Sequence, residues 1–168
     1  MPSEEKKHLE NILKPFLKSE GFTKRGGTWW RTYNGFIQVV NIQGSQWSKT
    51  FYLNLGLYIE CLGDKTKPNE TECHIRNRLE HLCGVDSGIL DLLNYSDYAP
   101  EEQPREKLID LMKTEGIPWL NKCSDESVAK KEYKLPNRVM TAWQRELLDK
   151  HFSQQCIQPN REYTVRLI

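Results

Sequence analysis

The sequence predicts an α+β fold: an antiparallel meander sheet of four to five strands, with an N-terminal helix and C-terminal helices packed on one face. Three observations point there. Phe51, Leu53, Leu55, Leu57 and Ile59 alternate with Tyr52, Asn54, Gly56, Tyr58 and Glu60, the period of a strand that buries one face. Asn34-Gly35 lies between two strand-like runs, and this pair supplies the positive φ angles of a tight hairpin. Strand-like runs fill the first half and helical spacing the second, an order that segregates helices to one side of an antiparallel sheet. The 168 residues fit a single domain, 1–168. A chain of that size buries about 70% of its unfolded surface and needs neither disulfide nor metal to hold a core.

In chain order, Ser3 ahead of Glu4, Glu5 and Lys6 reads as a helix cap, with Lys6 where a capping box would hold Glu. Leu9, Ile12, Leu13, Phe16 and Leu17 keep the 3,4-spacing of an amphipathic helix. Pro15 should bend or split it, and Gly21 should end it. Gly26-Gly27 turns the chain into strand 28–33 and Asn34-Gly35 into strand 36–46. The 45–49 connection leads to strand 50–60. A polar loop, 63–71, contains Pro68. Strand 72–82 follows, with Cys73, Ile75 and Leu79 on one face and His74, Arg76, Arg78 and Glu80 on the other. Residues 84–100 read as a loop with a short apolar turn at Ile89, Leu90, Leu92 and Leu93.

A helix over 101–115 turns Leu108, Ile109, Leu111 and Met112 inward and stops at Gly116. Residues 117–120 begin another helical turn, and Ser124 caps a polar helix reaching about Tyr133. Pro136 interrupts, and 138–153 form a last amphipathic helix carrying Met140, Trp143, Leu147, Leu148 and Phe152. Residues 162–168 alternate weakly, as an edge strand does, and 123–168 as a whole reads as a helical extension.

Composition excludes several classes. The hydrophobic fraction is 38% and the mean hydropathy −0.71, values of a folded, water-soluble chain. No apolar run spans a bilayer, and the charged N-terminal helix has no apolar signal core. The five cysteines, Cys61, Cys73, Cys83, Cys123 and Cys156, are odd in number with no CxxC. Free thiols in a cytoplasmic, reducing compartment are the economical reading. Net charge is +1, so nothing draws the whole chain to nucleic acid or acidic lipid. Locally, 22–49 carries Lys24, Arg25, Arg31 and Lys49 with no acid, whereas 84–110 carries Asp86, Asp91, Asp97, Glu101, Glu102, Glu106 and Asp110 against Arg105 and Lys107. Opposed patches suit a protein partner.

No motif carries a reaction. Cys73, His74, His81 and Cys83 form the only Cys/His cluster, but Cys73 and His81 lie about 26 Å apart along a strand, too far for a tetrahedral zinc site. No GxSxG occurs, and Gly26-Gly27 lacks the Lys-Ser/Thr of a phosphate loop. Glu4-Glu5 and Glu101-Glu102 stand at helix starts, where acids favour the helix dipole. No metal, cofactor or catalytic residue is assigned.

The segments Gly21-Phe22, Thr28–Arg31, Ile37–Gln43, Phe51, Asn54–Tyr58 and Cys73–Leu79 follow in an order and spacing that resemble the bacterial family called domain of unknown function 4304, over residues 5–122. Gly116–Leu120 resembles its helical second half. One departure is Leu90-Asp91-Leu92-Leu93, where that family tends to carry a Trp-Trp pair. The resemblance implies a fold and no reaction. By analogy with small domains of this sort, it implies an immunity protein that binds a bacterial toxin.

The functional expectation is therefore a non-catalytic protein-binding module, of the kind that occludes a toxin or effector. Its candidate contact residues are Trp30, Tyr52, Asn54, Tyr58, Arg76 and Arg78 on the polar sheet face and Asp86, Asp91, Asp97, Glu101 and Glu102 in the acidic segment. The alternative is a single-stranded nucleic-acid-binding domain that stacks bases on Trp30, Tyr52 and Tyr58 near Arg31, Arg76 and Arg78. The choice depends on whether those sheet residues face solvent or lie beneath the C-terminal helix.

Overall fold

The computed structural model describes residues 3–97, 104–136 and 140–154. The chain opens with α1 (Glu4–Ser19), whose first free amides are capped when the Lys6 N–H donates to Ser3 Oγ at 3.3 Å. The helix runs unbroken through Pro15 instead of splitting. Pro15 lies on the exposed side, where water can satisfy the carbonyl left without a donor. Gly21, with φ of +85°, releases the chain into the sheet.

Five strands form one antiparallel meander in sequence order: β1 (Thr23–Arg25), β2 (Thr28–Tyr33), β3 (Phe36–Gly44), β4 (Phe51–Ile59) and β5 (Ile75–Arg78). The Gly26-Gly27 turn thus joins two strands, since Thr23 to Arg25 pair with Trp30 to Thr28. Asn34 and Gly35, both at positive φ, make the expected hairpin. Register places Trp29, Val40 and Leu55 in one row, and Trp30, Val39, Gly56 and Arg76 in the next, on the opposite face.

The first face holds the core. Leu9, Leu13 and Leu17 of α1 pack over Trp29, Val40, Leu53, Leu55 and Leu57. The same cluster takes in side chains of α3 (Ile89–Leu92), α4 (Lys107–Leu111), α5 (Ile117–Cys123), α6 (Glu126–Glu132) and α7 (Ala142–Gln154), so the C-terminal helices share that side with α1. A buried polar tie fixes α5 to the sheet. Arg31 donates to Gln38 Oε1 at 2.6 Å, to Asn121 Oδ1 at 2.7 Å and to the Glu20 carbonyl at 2.7 Å, while Gln38 Nε2 donates to Ser124 Oγ at 2.9 Å. Arg31 is thus on the core face, away from Arg76 and Arg78.

The second face is half covered, and by the 60–74 connection instead of the late helices. Trp30, Ile37, Val39, Tyr58 and Cys73 form a small cluster beneath it. Gly56 belongs to this packing, because a Cβ there would meet Cys73 Sγ at 2.6 Å.

Several elements differ from the sequence expectation. The strand expected over 72–82 is only β5, and at Leu79 the chain turns into α2 (Leu79–Cys83). Glu80 Oε2 then accepts the Leu53 N–H at 3.2 Å, taking the place of the missing strand partner. Cys73 points to the small cluster and Ile75 and Leu79 to the main core, so the three do not share a face. Gly116, expected as a stop, lies inside a continuous helical run of α4, a π turn (Met112–Gly116) and α5. Pro118 has no N–H for the ladder, and the wider turn ahead of it lets the run pass. Asp125, not Ser124, caps α6, accepting the Ser127 and Val128 amides. The expected edge strand at 162–168, the first residues of the 101–115 and 138–153 helices, and Cys156 lie outside the described residues. No helix among the described residues is long and apolar enough to cross a membrane.

Candidate functional site

Two surfaces offer polar or aromatic side chains to a partner. The first is a groove of about 370 Å³ on the uncovered part of the second sheet face, floored by β3, β4 and β5 and walled by the 3-10 turn Glu70–Glu72. Register sets its side chains, with Asn54 opposite Arg78 and Gln43 opposite Tyr52. The Arg78 guanidinium lies over the Tyr52 ring at 4.1 Å, and its Nε donates to Asn54 Oδ1 at 3.2 Å. Asn54, only 3% exposed, donates from Nδ2 to Gln43 Oε1 at 2.8 Å. Arg76 pairs with Glu70 at 3.5 Å.

The second surface is the tip of the β3–β4 hairpin with the segment beside it. Ser45 N–H donates to the Thr50 carbonyl at 2.8 Å, and Trp47 N–H to Ser45 Oγ at 3.1 Å. The far side is braced by residues 93–96. Phe51 N–H reaches the Leu93 carbonyl, Tyr95 N–H the Lys49 carbonyl, and Lys49 N–H the Ser96 hydroxyl. Trp47 stands 93% exposed on this tip. Asp86, Asp91 and Asp97 are exposed on the segment that supplies the brace. Lys49 is spent on Glu5 at 2.8 Å, a pairing that holds the Glu5 carboxyl down at about 2.

Cys73, Cys123 and His74 are buried, whereas Cys61 and His81 are exposed, His81 on the rim of the groove. Burial pushes Cys73 well up and Cys83 up to about 11, and Cys61 is raised by burial and by Glu126, so none of the three is a thiolate at neutral pH. His74 Nδ1 accepts the Ile59 N–H at 2.9 Å, and burial with the nearby His151 lowers its pKa to about 4. His8 Nδ1 bonds the Tyr95 hydroxyl at 2.7 Å. Among the described residues no group of three or more His, Cys, Asp or Glu could hold a metal.

The profile of a family described as Domain of unknown function (DUF4304) matches residues 13–122. The chain belongs to this family. The DUF4304 match spans the whole sheet, the hairpin tip, the groove and the run through α4 to all but the last residue of α5. Helices α6 and α7 lie beyond it. No curated protein and no solved structure matches the chain.

The expected contact residues divide accordingly. Asn54, Arg76 and Arg78 line the groove and Tyr52 backs Arg78 from the same face, as the alternation of β4 and β5 requires. Trp30 and Tyr58 do not face solvent. Trp30 is 8% exposed, with Nε1 donating to the Pro68 carbonyl at 2.7 Å, and Tyr58 is 5% exposed, its ring 4.6 Å from His74. Asp86, Asp91 and Asp97 face solvent, and Glu101 and Glu102 lie outside the described residues. Trp143, expected on the buried face of the last helix, is 66% exposed, whereas Gln144 beside it is buried and donates to the Cys73 carbonyl at 3.1 Å. Sequence reasoning missed Trp47 and Gln43. The signal for Trp47 was an aromatic inside the turn-forming run Gly44-Ser45-Gln46-Trp47-Ser48, a place no core pattern claims.

Proposed function

We propose that this DUF4304 protein is a non-catalytic protein-binding module of the immunity type, which docks on a basic bacterial toxin or effector and occludes it. Trp47 carries the reading. Fully burying a Trp removes about 200 Å² from water, a gross gain of about 5 kcal/mol at 25 cal/mol per Å². Nearly all of it is still available, because the side chain is 93% exposed. The tip is held by backbone bonds on both sides, so little ordering cost falls due on docking. Asp97 adds negative charge next to Ser96, which bonds the tip, Asp86 and Asp91 are exposed on the segment leading to it, and Lys49 is already neutralised by Glu5. A cationic partner is the complement. The nucleic-acid alternative keeps less support, since of its three stacking candidates only Tyr52 is part-exposed and its ring carries Arg78.

The test is co-purification of the chain with the product of the adjacent gene, followed by titration calorimetry with Trp47→Ala. A stable complex that weakens by about 30-fold or more in the variant, as an anchor residue demands, supports the reading. Absence of a complex, or an unchanged affinity in Trp47→Ala, sinks it.

A further inference from the structure

We propose that the sheet groove is a binding site for a small ligand that presents a carboxylate or phosphate group to the Arg78 guanidinium. The proposal stands apart from the docking surface, which lies at the hairpin tip. Arg78 is held in place before any ligand arrives. The Tyr52 ring supports one face of the guanidinium at 4.1 Å, and Nε is tied to Asn54 Oδ1. Both Nη atoms are left without a hydrogen-bond partner among the described residues, and they form the planar fork that suits two oxygens of one anionic group. The relay continues in one sense only. Asn54 Oδ1 is used by Arg78, so Nδ2 must be the donor to Gln43 Oε1 at 2.8 Å. That leaves Gln43 Nε2 as a second outward donor.

Charge in the groove agrees. The one acid of its lining, Glu70, is paired with Arg76, and the Glu80 carboxylate is turned to the Leu53 amide. Arg78 sits close enough to Glu80 to favour that carboxylate's charge, yet no carboxylate among the described residues bonds its Nη atoms. A volume of about 370 Å³ exceeds a bare anion and falls in the range of small-molecule sites, so the anionic group is one end of a larger polar ligand.

The test uses the full chain labelled with nitrogen-15, titrated with inorganic phosphate and separately with acetate, the ionic strength held constant with chloride. A saturable shift of the Arg78 Nε–H and Gln43 side-chain amide signals is expected, and the anion with the lower midpoint names the class. Arg78→Lys keeps the charge and loses the fork; its midpoint, followed on the Gln43 signal, should rise about ten-fold or more. Gln43→Glu keeps the acceptor for Asn54 Nδ2, replaces the outward donor with a carboxylate oxygen, and should raise the midpoint read at Arg78. A shift that never saturates, that chloride reproduces, or whose midpoint is unchanged in Arg78→Lys overturns the proposal.

Discussion

Lowering the pH from 7 should destabilise the fold through His74, and the amount can be worked out. The imidazole is buried between Tyr58 and the 60–74 connection, and its Nδ1 accepts the Ile59 N–H at 2.9 Å. A proton on Nδ1 would set two donors against each other. Burial, with repulsion from His151, therefore holds the pKa at about 4 against an ordinary value of 6.5. Above pH 6.5 both folded and unfolded chains carry neutral imidazole, and the contribution is zero. As pH falls from 6.5 toward 4 the unfolded chain takes up the proton first, so stability drops. Below 4 both are protonated and the loss levels off at about 3 kcal/mol, of which about 2.5 kcal/mol is reached by pH 4.5. Urea midpoints at pH 7, 5.5 and 4.5 read the effect, with His74→Asn as reference, because the Asn oxygen keeps an acceptor for Ile59 and does not titrate. Glu80, whose carboxyl is raised by burial, shifts stability in the opposite sense, and Glu5, held at about 2, acts below this window. Both are common to the two proteins and cancel in the difference. If wild type and His74→Asn lose stability in parallel between pH 7 and 4.5, the burial argument for His74 is wrong.

Arg31→Met should cost about 3 kcal/mol in urea unfolding, since it strips buried acceptors on Gln38, Asn121 and the Glu20 backbone of a donor; a loss under 1 kcal/mol would show that the tie is dispensable. Gly56→Ala should destabilise by about 1–3 kcal/mol, because its methyl would sit 2.6 Å from Cys73 Sγ and 2.9 Å from its Cβ; a thermal melt at wild-type temperature would contradict the packing described for the second sheet face. Asp86→Lys with Asp91→Lys should slow association with a basic partner, with a smaller effect at high salt, and leave folding stability within about 0.5 kcal/mol; stopped-flow mixing and urea midpoints separate the two.

The sheet was legible because its signals are local. Alternation in β4 fixes which side chains share a face, and Asn34-Gly35 sets the hairpin that pairs β2 with β3. The same alternation correctly placed Tyr52, Asn54, Arg76 and Arg78 together. Burial of Trp30 and Tyr58 was not legible, since it depends on where a polar loop folds back, and 63–71 announces only that it is polar. The Pro68 carbonyl that receives Trp30 Nε1 has no sequence signature. The end of β5 was misread because the helical 3,4-spacing of Leu79, Leu82 and Cys83 covers a single turn, too short a run to stand out against the strand alternation before it. Gly116 looked like a stop, yet its lack of a side chain serves close packing against Met112 and Leu79 inside the helix. Trp47 was overlooked because periodicity searches for burial, and a residue left out of the core leaves no period.

Hydrogen exchange on the chain alone and in complex with the product of the adjacent gene tests the docking surface most directly. Added protection should concentrate on amides of 45–49 and 86–97, where Trp47 and the aspartates stand, with the 76–78 strand unchanged. Protection confined to 52–54 and 76–78, or none anywhere, would contradict the account.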